Sequence, residues 1–334
     1  MKFRSVSLYS ASPLRRFSSL KQQSPISNST LSFFSKCAII LHNFLSLKKI
    51  GSTHTSWGFS EVPVLDLIKI DRSKCVKCGL CVADCPACIL DMGEDGPECN
   101  VDRGCMSCGH CVAICPTGAM DNKYTPREEM TAAPKEIISE KQAYDFLRSR
   151  RSVRLFRQQT PKREDVLKLL NICRYAPTAG NSQGMYFTVV SNPDMLAKIR
   201  QYTADWMAEE VEKGTENKRY FKAVLRTFYE KNVDIIERQA PMLVFVSTRR
   251  LNVTGISNSE QCLAYAELFA PAIGLGTTIA GFIQACAIAG YKPLVELLGI
   301  PAKQKLVGCM MVGYPRVKYR LMPERQHLKC EFRE

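Results

Sequence analysis

Apolar positions recur at helical spacing in two stretches near the middle of the chain. Residues 140–150 put Ala143, Phe146 and Leu147 on one face, and in the next stretch Val166, Leu169, Leu170 and Cys173 recur at i, i+3, i+4 and i+7. Thr160 stands where it can cap that second helix, with Pro161 in its first turn. Short apolar runs rich in Val and Phe or Met predict strands at residues 186–191, 242–248 and 305–314. Residues 257–273 predict a long helix opening with Ser257 and Glu260 in capping-box spacing. Pro271 lies inside it and predicts a bend, because an interior proline costs about 3 kcal/mol or more in a straight helix. The fold class this order predicts is α+β, with helices packed on a modest sheet.

With 334 residues and 46% hydrophobic content, the chain can bury roughly two cores. Its formal charge of +14 changes meaning once located: residues 1–60 hold eight Lys/Arg, fifteen Ser and no acid, leaving 38 basic against 32 acidic side chains for the rest. That segment, taken as 1–62, has the composition of an organelle transit peptide; a disordered basic extension or included upstream sequence has the same composition. The expected compartment is the cytoplasm or a mitochondrion-related organelle, not the secretory route. No basic helix with interleaved aromatics occurs, so nucleic-acid binding is not expected. The longest apolar stretch, near 37–47, is short and interrupted by His42 and Asn43, so no membrane span is expected either.

Ten of the sixteen cysteines fall between Cys75 and Cys115, several only three residues apart, a crowding that suits metal ligation better than disulfide pairing. Cys75, Cys78, Cys81 and Cys85 follow C-x2-C-x2-C-x3-C-P, and Cys105, Cys108, Cys111 and Cys115 repeat it, each run ending in Pro86 or Pro116. Three thiolates at this spacing can wrap one face of an iron–sulfur cubane, and the fourth must come from elsewhere. Paired C-x2-C units also bind structural zinc, which remains the alternative. The stretch resembles the bacterial-type two-cluster ferredoxins, in which the fourth cysteine of each run ligates the other cluster. The resemblance implies one [4Fe-4S] cluster on Cys75, Cys78, Cys81 and Cys115 and a second on Cys105, Cys108, Cys111 and Cys85. Cys88 and Cys99 lie outside the pattern, and His110 matches no ligand slot. A cluster domain over 63–124, a linker with Pro126 and Pro134 over 125–139, and a second domain over 140–334 complete the expected organisation.

Three separated blocks in that second domain resemble the FMN-dependent nitroreductase family over about residues 142–320. R-R-S-V-R-L-F, which contains Arg150, Arg151, Ser152 and Arg154, is similar to the family's phosphate and flavin-edge motif. A-P-T-A-G-N-S-Q, with Pro177, Thr178, Ala179, Asn181 and Gln183, is similar to its ring-binding loop. The third block is G-L-G-T-T-I-A-G-F at 274–282, followed by Gly313-Tyr314-Pro315 and by Lys318 and Arg320. The resemblance implies an FMN phosphate held by Arg150, Ser152 and Arg320 with Lys318 as a point charge, and Arg154 near the reduced ring's negative edge. It also implies Asn181 and Gln183 at the ring's amide edge, Pro177, Thr178 and Ala179 lining the pocket, and a backbone N–H of Ala280 or Gly281 toward N5. No G-x-G-x-x-G follows a strand, so a dinucleotide-binding fold is not expected.

Clusters exchange one electron at a time, hydride donors exchange two, and FMN can do either, so the fusion implies an oxidoreductase. Its donor is expected to be reduced ferredoxin or NAD(P)H, and its acceptor a nitroaromatic or quinone, with no side chain acting as catalytic acid or base. The resemblance further implies a homodimer with residues of both chains around each flavin. Two other readings stay open: an electron carrier or redox sensor without a dedicated substrate, and an enzyme whose clusters are structural.

Overall fold

The chain between and around the two cysteine runs has few apolar residues to bury, and it closes on itself through short strands. The computed structural model describes residues 67–100, 104–136 and 138–334; the basic Ser-rich extension, and with it the targeting expectation, lies outside the described residues. Strand β1 (Ile68–Ile70) pairs antiparallel with β4 (Met120–Asn122), bringing the module's two ends together. Between them β2 (Leu90–Gly93) and β3 (Gly96–Cys99) form a hairpin. One-turn helices, α1 (Leu80–Ala83) and α2 (His110–Ala113), follow the second cysteine of each run. The module's core is little more than Leu67, Ile68, Ile89, Leu90, Val112 and Met120 packed among cysteines. A core this small normally needs a metal staple. The first residues of the expected linker also fold onto it: the Arg127 guanidinium donates to the Val112 carbonyl at 3.4 Å, and Met130 packs on the core.

The second domain is built on a four-stranded antiparallel sheet of order β5 (Tyr186–Val190), β6 (Leu243–Arg249), β8 (Gln304–Gly313), β7 (Gly276–Ile279). Both faces are covered, which the period-two alternation of β6 makes visible. Leu243 and Phe245 point into one core and Val244 and Val246 into the other. The first core is filled by α5 (Pro193–Glu212), α6 (Lys218–Tyr229), α8 (Gly281–Ile288) and α9 (Lys292–Leu297), through Ile199, Met207, Phe221, Ile283 and Leu294. The second is filled by α4 (Arg163–Ile172) and α7 (Gly255–Phe269), through Leu169, Leu263 and Ala266. Each fully buried side chain of this size contributes about 1.5–3 kcal/mol of transfer free energy. Ahead of these, α3 (Glu140–Ser149) opens with a capping box between Ser139 and Gln142. Among the described residues no helix is long and apolar enough to cross a membrane.

Local details differ from expectation. Helix α7 starts at Gly255 with Thr254 as N-cap, so Ser257 and Glu260 lie inside it and form no capping box. Helix α4 starts at Arg163, with Thr160 and Pro161 in its approach and Glu164 and Asp165 favouring its N-terminus. The bend expected at Pro271 is a change of helix type: α7 ends at Phe269 and Pro271 sits in the first turn of a 3-10 segment, Ala270–Ile273, where its missing N–H leaves no donor unpaired.

Candidate functional site

The two cysteine runs fold alike, as their sequences do. Lys77 and Ser107, each just before the second cysteine, take left-handed φ of 53° and 49°, and Gly79 and Gly109, each just after it, take 74°. Glycine is the residue for that last position because it carries no Cβ penalty there. The result is two small cavities. Cys75, Cys78, Cys81 and Cys115 line one; Cys85, Cys105, Cys108 and Cys111 line the other. The fourth cysteine of each run thus faces the other run's cavity. Among the described residues no three Cys, His, Asp or Glu side chains converge tightly enough to hold a single metal ion. A ring of four thiols, no three of which close on a single ion, fits a four-iron cubane and not a lone zinc ion.

Electrostatics agree with that donor set. Burial, reinforced by Cys105, Cys108 and Cys85, pushes the Cys111 thiol up to about 12. Burial likewise raises Cys81, with Cys115 and Cys78 adding to it. Burial also acts on Cys115, but the Met120, Thr117 and Ala119 backbone and the Thr117 hydroxyl outweigh it and lower that thiol. Four crowded thiols that repel as anions are the donors a cationic core deprotonates. Donors to sulfur are already placed: Ala119 N–H to Cys115 Sγ at 3.2 Å, Ser107 N–H to Cys105 Sγ at 3.3 Å, and the buried Asn122 amide to Cys105 Sγ at 3.8 Å. His110 opens α2 and sets its Nδ1 3.2 Å from the Asp84 carboxylate of the other run.

In the second domain the first and last sequence blocks meet. Residues 151–156 run alongside β7, with the Val153 N–H donated to the Thr277 carbonyl at 2.9 Å. A Cβ on Gly276 would lie 2.7 Å from the Val153 side chain, so this docking needs a glycine there. Past β8 the chain returns beside the same segment, through Arg157 N–H to Tyr314 O and Arg316 N–H to Leu155 O, both 2.9 Å. Tyr319 closes the group: its hydroxyl donates to the Ser152 carbonyl at 3.4 Å and its ring lies 5.3 Å below the Arg151 guanidinium. Arg150, Ser152, Lys318 and Arg320 therefore stand on adjoining segments, with the Arg150 guanidinium 3.4 Å from the Ser152 hydroxyl.

Glu267 of α7 holds Arg150 from behind at 3.6 Å, and burial raises its carboxyl while Arg150 opposes the rise. No charge or turn pattern in the sequence marks Glu267 or Tyr319 for these roles. Arg154 lines a cavity of about 410 Å³ with Thr278, Gly281, Phe282, Tyr220 and Arg238. Ala280 does not fit its expected part: it is buried and its N–H is already donated to the Cys309 carbonyl at 3.0 Å. Gly281, first in α8, has an N–H with no intrahelical acceptor.

The second block lies elsewhere. Residues 176–183 lead into β5, at the sheet edge opposite β7, and Asn258 near the start of α7 holds them by accepting from Ala179 N–H at 3.1 Å. Three strand spacings separate the two edges, about 14 Å. Along α7, Asn258 and Glu267 are nine residues apart, again about 14 Å. One chain therefore does not bring the loop to Arg150. Asn181, expected at a ring edge, instead directs both amide hydrogens at the second cysteine run, to Met106 O at 3.1 Å and Ser107 O at 3.0 Å. Its Oδ1 accepts from Gln183 Nε2 at 3.1 Å, and Gln183 N–H is donated to Thr178 Oγ1 at 3.1 Å.

Comparison with known proteins gives two family matches: "Nitroreductase family" over residues 147–314 and "4Fe-4S dicluster domain" over residues 74–120. Iodotyrosine deiodinase 1 of Mus musculus is 26% identical over 201 residues, covering 57% of this chain and 66% of that protein. The human protein of that name is 26% identical over 205 residues, covering 58% of this chain and 66% of its own length. The chain thus spans just under two thirds of these curated relatives. A nitroreductase with bound FMN from Bacteroides fragilis superposes with a TM-score of 0.47 at 19% identity, covering 58% of this chain and 100% of that one.

Proposed function

Since this chain belongs to the nitroreductase family, we propose that it is an FMN-dependent oxidoreductase carrying two [4Fe-4S] clusters, moving electrons from reduced ferredoxin or NAD(P)H to a small organic acceptor such as a nitroaromatic or quinone. The observation that carries the reading is the pair of hydrogen bonds from Asn181 to Met106 O and Ser107 O, which ties the loop between two cluster cysteines to the loop expected against a flavin ring.

When bound, FMN exchanges one or two electrons and a [4Fe-4S] cluster one, which is the chemistry this pairing supplies. The chain's residues do the holding. Cys75, Cys78, Cys81 and Cys115 ligate one cluster and Cys85, Cys105, Cys108 and Cys111 the other, as the two cavities suggest. Arg150, steadied by Glu267, presents its fork with the Ser152 hydroxyl to a phosphate, joined by Lys318 and Arg320. Arg154 offers a cation at the large cavity, where Thr278, Phe282 and the Gly281 N–H would hold the flavin ring. Pro177, Thr178, Ala179 and Gln183 would cover a ring, and because they lie at the far sheet edge it would be the one anchored by a second copy. That makes the working unit a homodimer.

Anaerobic purification with iron, sulfide and flavin measured per chain, followed by stopped-flow mixing of reduced protein with nitroaromatic or quinone, tests the reading. Cluster absorbance is expected to recover faster with acceptor than without. Equal rates would leave an electron carrier or redox sensor in its place.

A further inference from the structure

The cavity of about 410 Å³ beside Gly281 carries two arginines, Arg154 and Arg238, and no carboxylate among its lining residues. Among the described residues neither arginine belongs to an ion pair, while Arg150, Arg200 and Arg226 all do. Tyr220, Phe221 and Phe282 supply aromatic faces in the same cavity. Its size lies within the range of small-molecule sites.

Arg238 is held there at a cost. It and Gln239 take consecutive left-handed φ of 59° and 50°, a strained conformation for residues with a side chain. A partly buried network imposes the turn. Asp234 accepts from the N–H groups of Ile236, Glu237 and Gln239 at 3.1, 2.9 and 2.9 Å, and Arg200 binds Glu237 at 2.6 Å behind them. The arrangement fixes a half-buried, unpaired cation at the wall of the cavity.

We infer that Arg238 binds the acceptor, and that the preferred acceptor is an anionic planar aromatic, such as a ring bearing a carboxylate or an ionised hydroxyl. This rests on the oxidoreductase reading above and specifies its substrate class. Arg154 serves the flavin, whose reduced ring carries one negative charge, and the second guanidinium is left for a second anion. The aromatic side chains select for a flat ring and the charge selects among flat rings.

The matched pair 4-nitrobenzoate and 4-nitrobenzamide tests this on the full-length holoprotein. Dissociation constants come from the perturbation of flavin absorbance, and single-turnover reoxidation is followed separately. Wild type is expected to prefer the benzoate, and Arg238→Gln to collapse the benzoate-to-benzamide ratio about tenfold or more, with Arg238→Lys recovering part of it. An unchanged ratio in Arg238→Gln overturns the inference. So does a drop in flavin reduction potential in that variant, which would make Arg238 a flavin cation. Charge-selective binding that depends on Arg238 with no reoxidation by either compound would support the site while sinking the oxidoreductase reading.

Discussion

Removing the Asn181 amide should loosen the second cysteine run from the flavin domain. Its two N–H···O bonds, at 3.1 and 3.0 Å, join side chain to backbone in a partly buried setting. Each is worth about 1 kcal/mol net, so Asn181→Ala forfeits about 2 kcal/mol of docking, roughly a thirtyfold change in the docking equilibrium constant. Asn181→Asp should do more, because it turns a carboxylate toward two carbonyl oxygens. Hydrogen exchange reads the effect directly, as lost protection at residues 105–109 in the holoprotein. Stopped-flow reads its consequence, as slower flavin bleaching after the clusters are reduced. Iron and flavin contents are measured in the same preparations, so that loss of a cofactor is not mistaken for loss of docking. Unchanged protection together with an unchanged bleaching rate in Asn181→Ala would refute the argument that this contact couples the modules.

Three further outcomes follow from the geometry. Cys85→Ala should reproduce the spectral loss of Cys108→Ala, and Cys115→Ala that of Cys78→Ala, each with iron per chain falling by about half, because the cavities mix the runs; pairing of Cys85 with Cys78 in the spectra would overturn the crossing. Asn122→Leu removes a donor to Cys105 Sγ and should lower the potential of that cluster alone by about 40 mV, the equivalent of about 1 kcal/mol for one electron, as read by redox titration. Burial, resisted by Arg200 and aided by Asp234, raises the Glu237 carboxyl to about 7 from an ordinary 4.5, so its favourable contribution is complete below about 4.5 and lost as pH rises through 7. Wild-type Tm should therefore fall more steeply than that of Glu237→Gln between pH 5 and pH 7, and parallel curves would refute it.

The cluster ligands were legible because sequence spacing is their chemistry: three thiols at x2 steps on a tight loop meet one cubane face wherever the loop sits. The strands β6 and β8 were legible for a similar local reason, since buried runs of Val, Phe and Met have few other uses, and the half-exposed β5 by its aromatic and β-branched residues. Helix starts were less so, because Ser257 and Glu260 have the spacing of a cap without its place, and the surrounding packing decided that α7 begins at Gly255. What no local pattern contained was the meeting of distant segments. Glu267 behind Arg150, Tyr319 against Ser152, Arg238 in the cavity wall and Asn181 on the cluster loop each join positions between about 75 and 170 residues apart or depend on a buried network for their aim. Motif and spacing therefore determined which cofactors this chain can hold. The tertiary structure decided how the holders face one another, because the sheet puts the phosphate segment and the ring loop on opposite edges and sets the loop against the clusters.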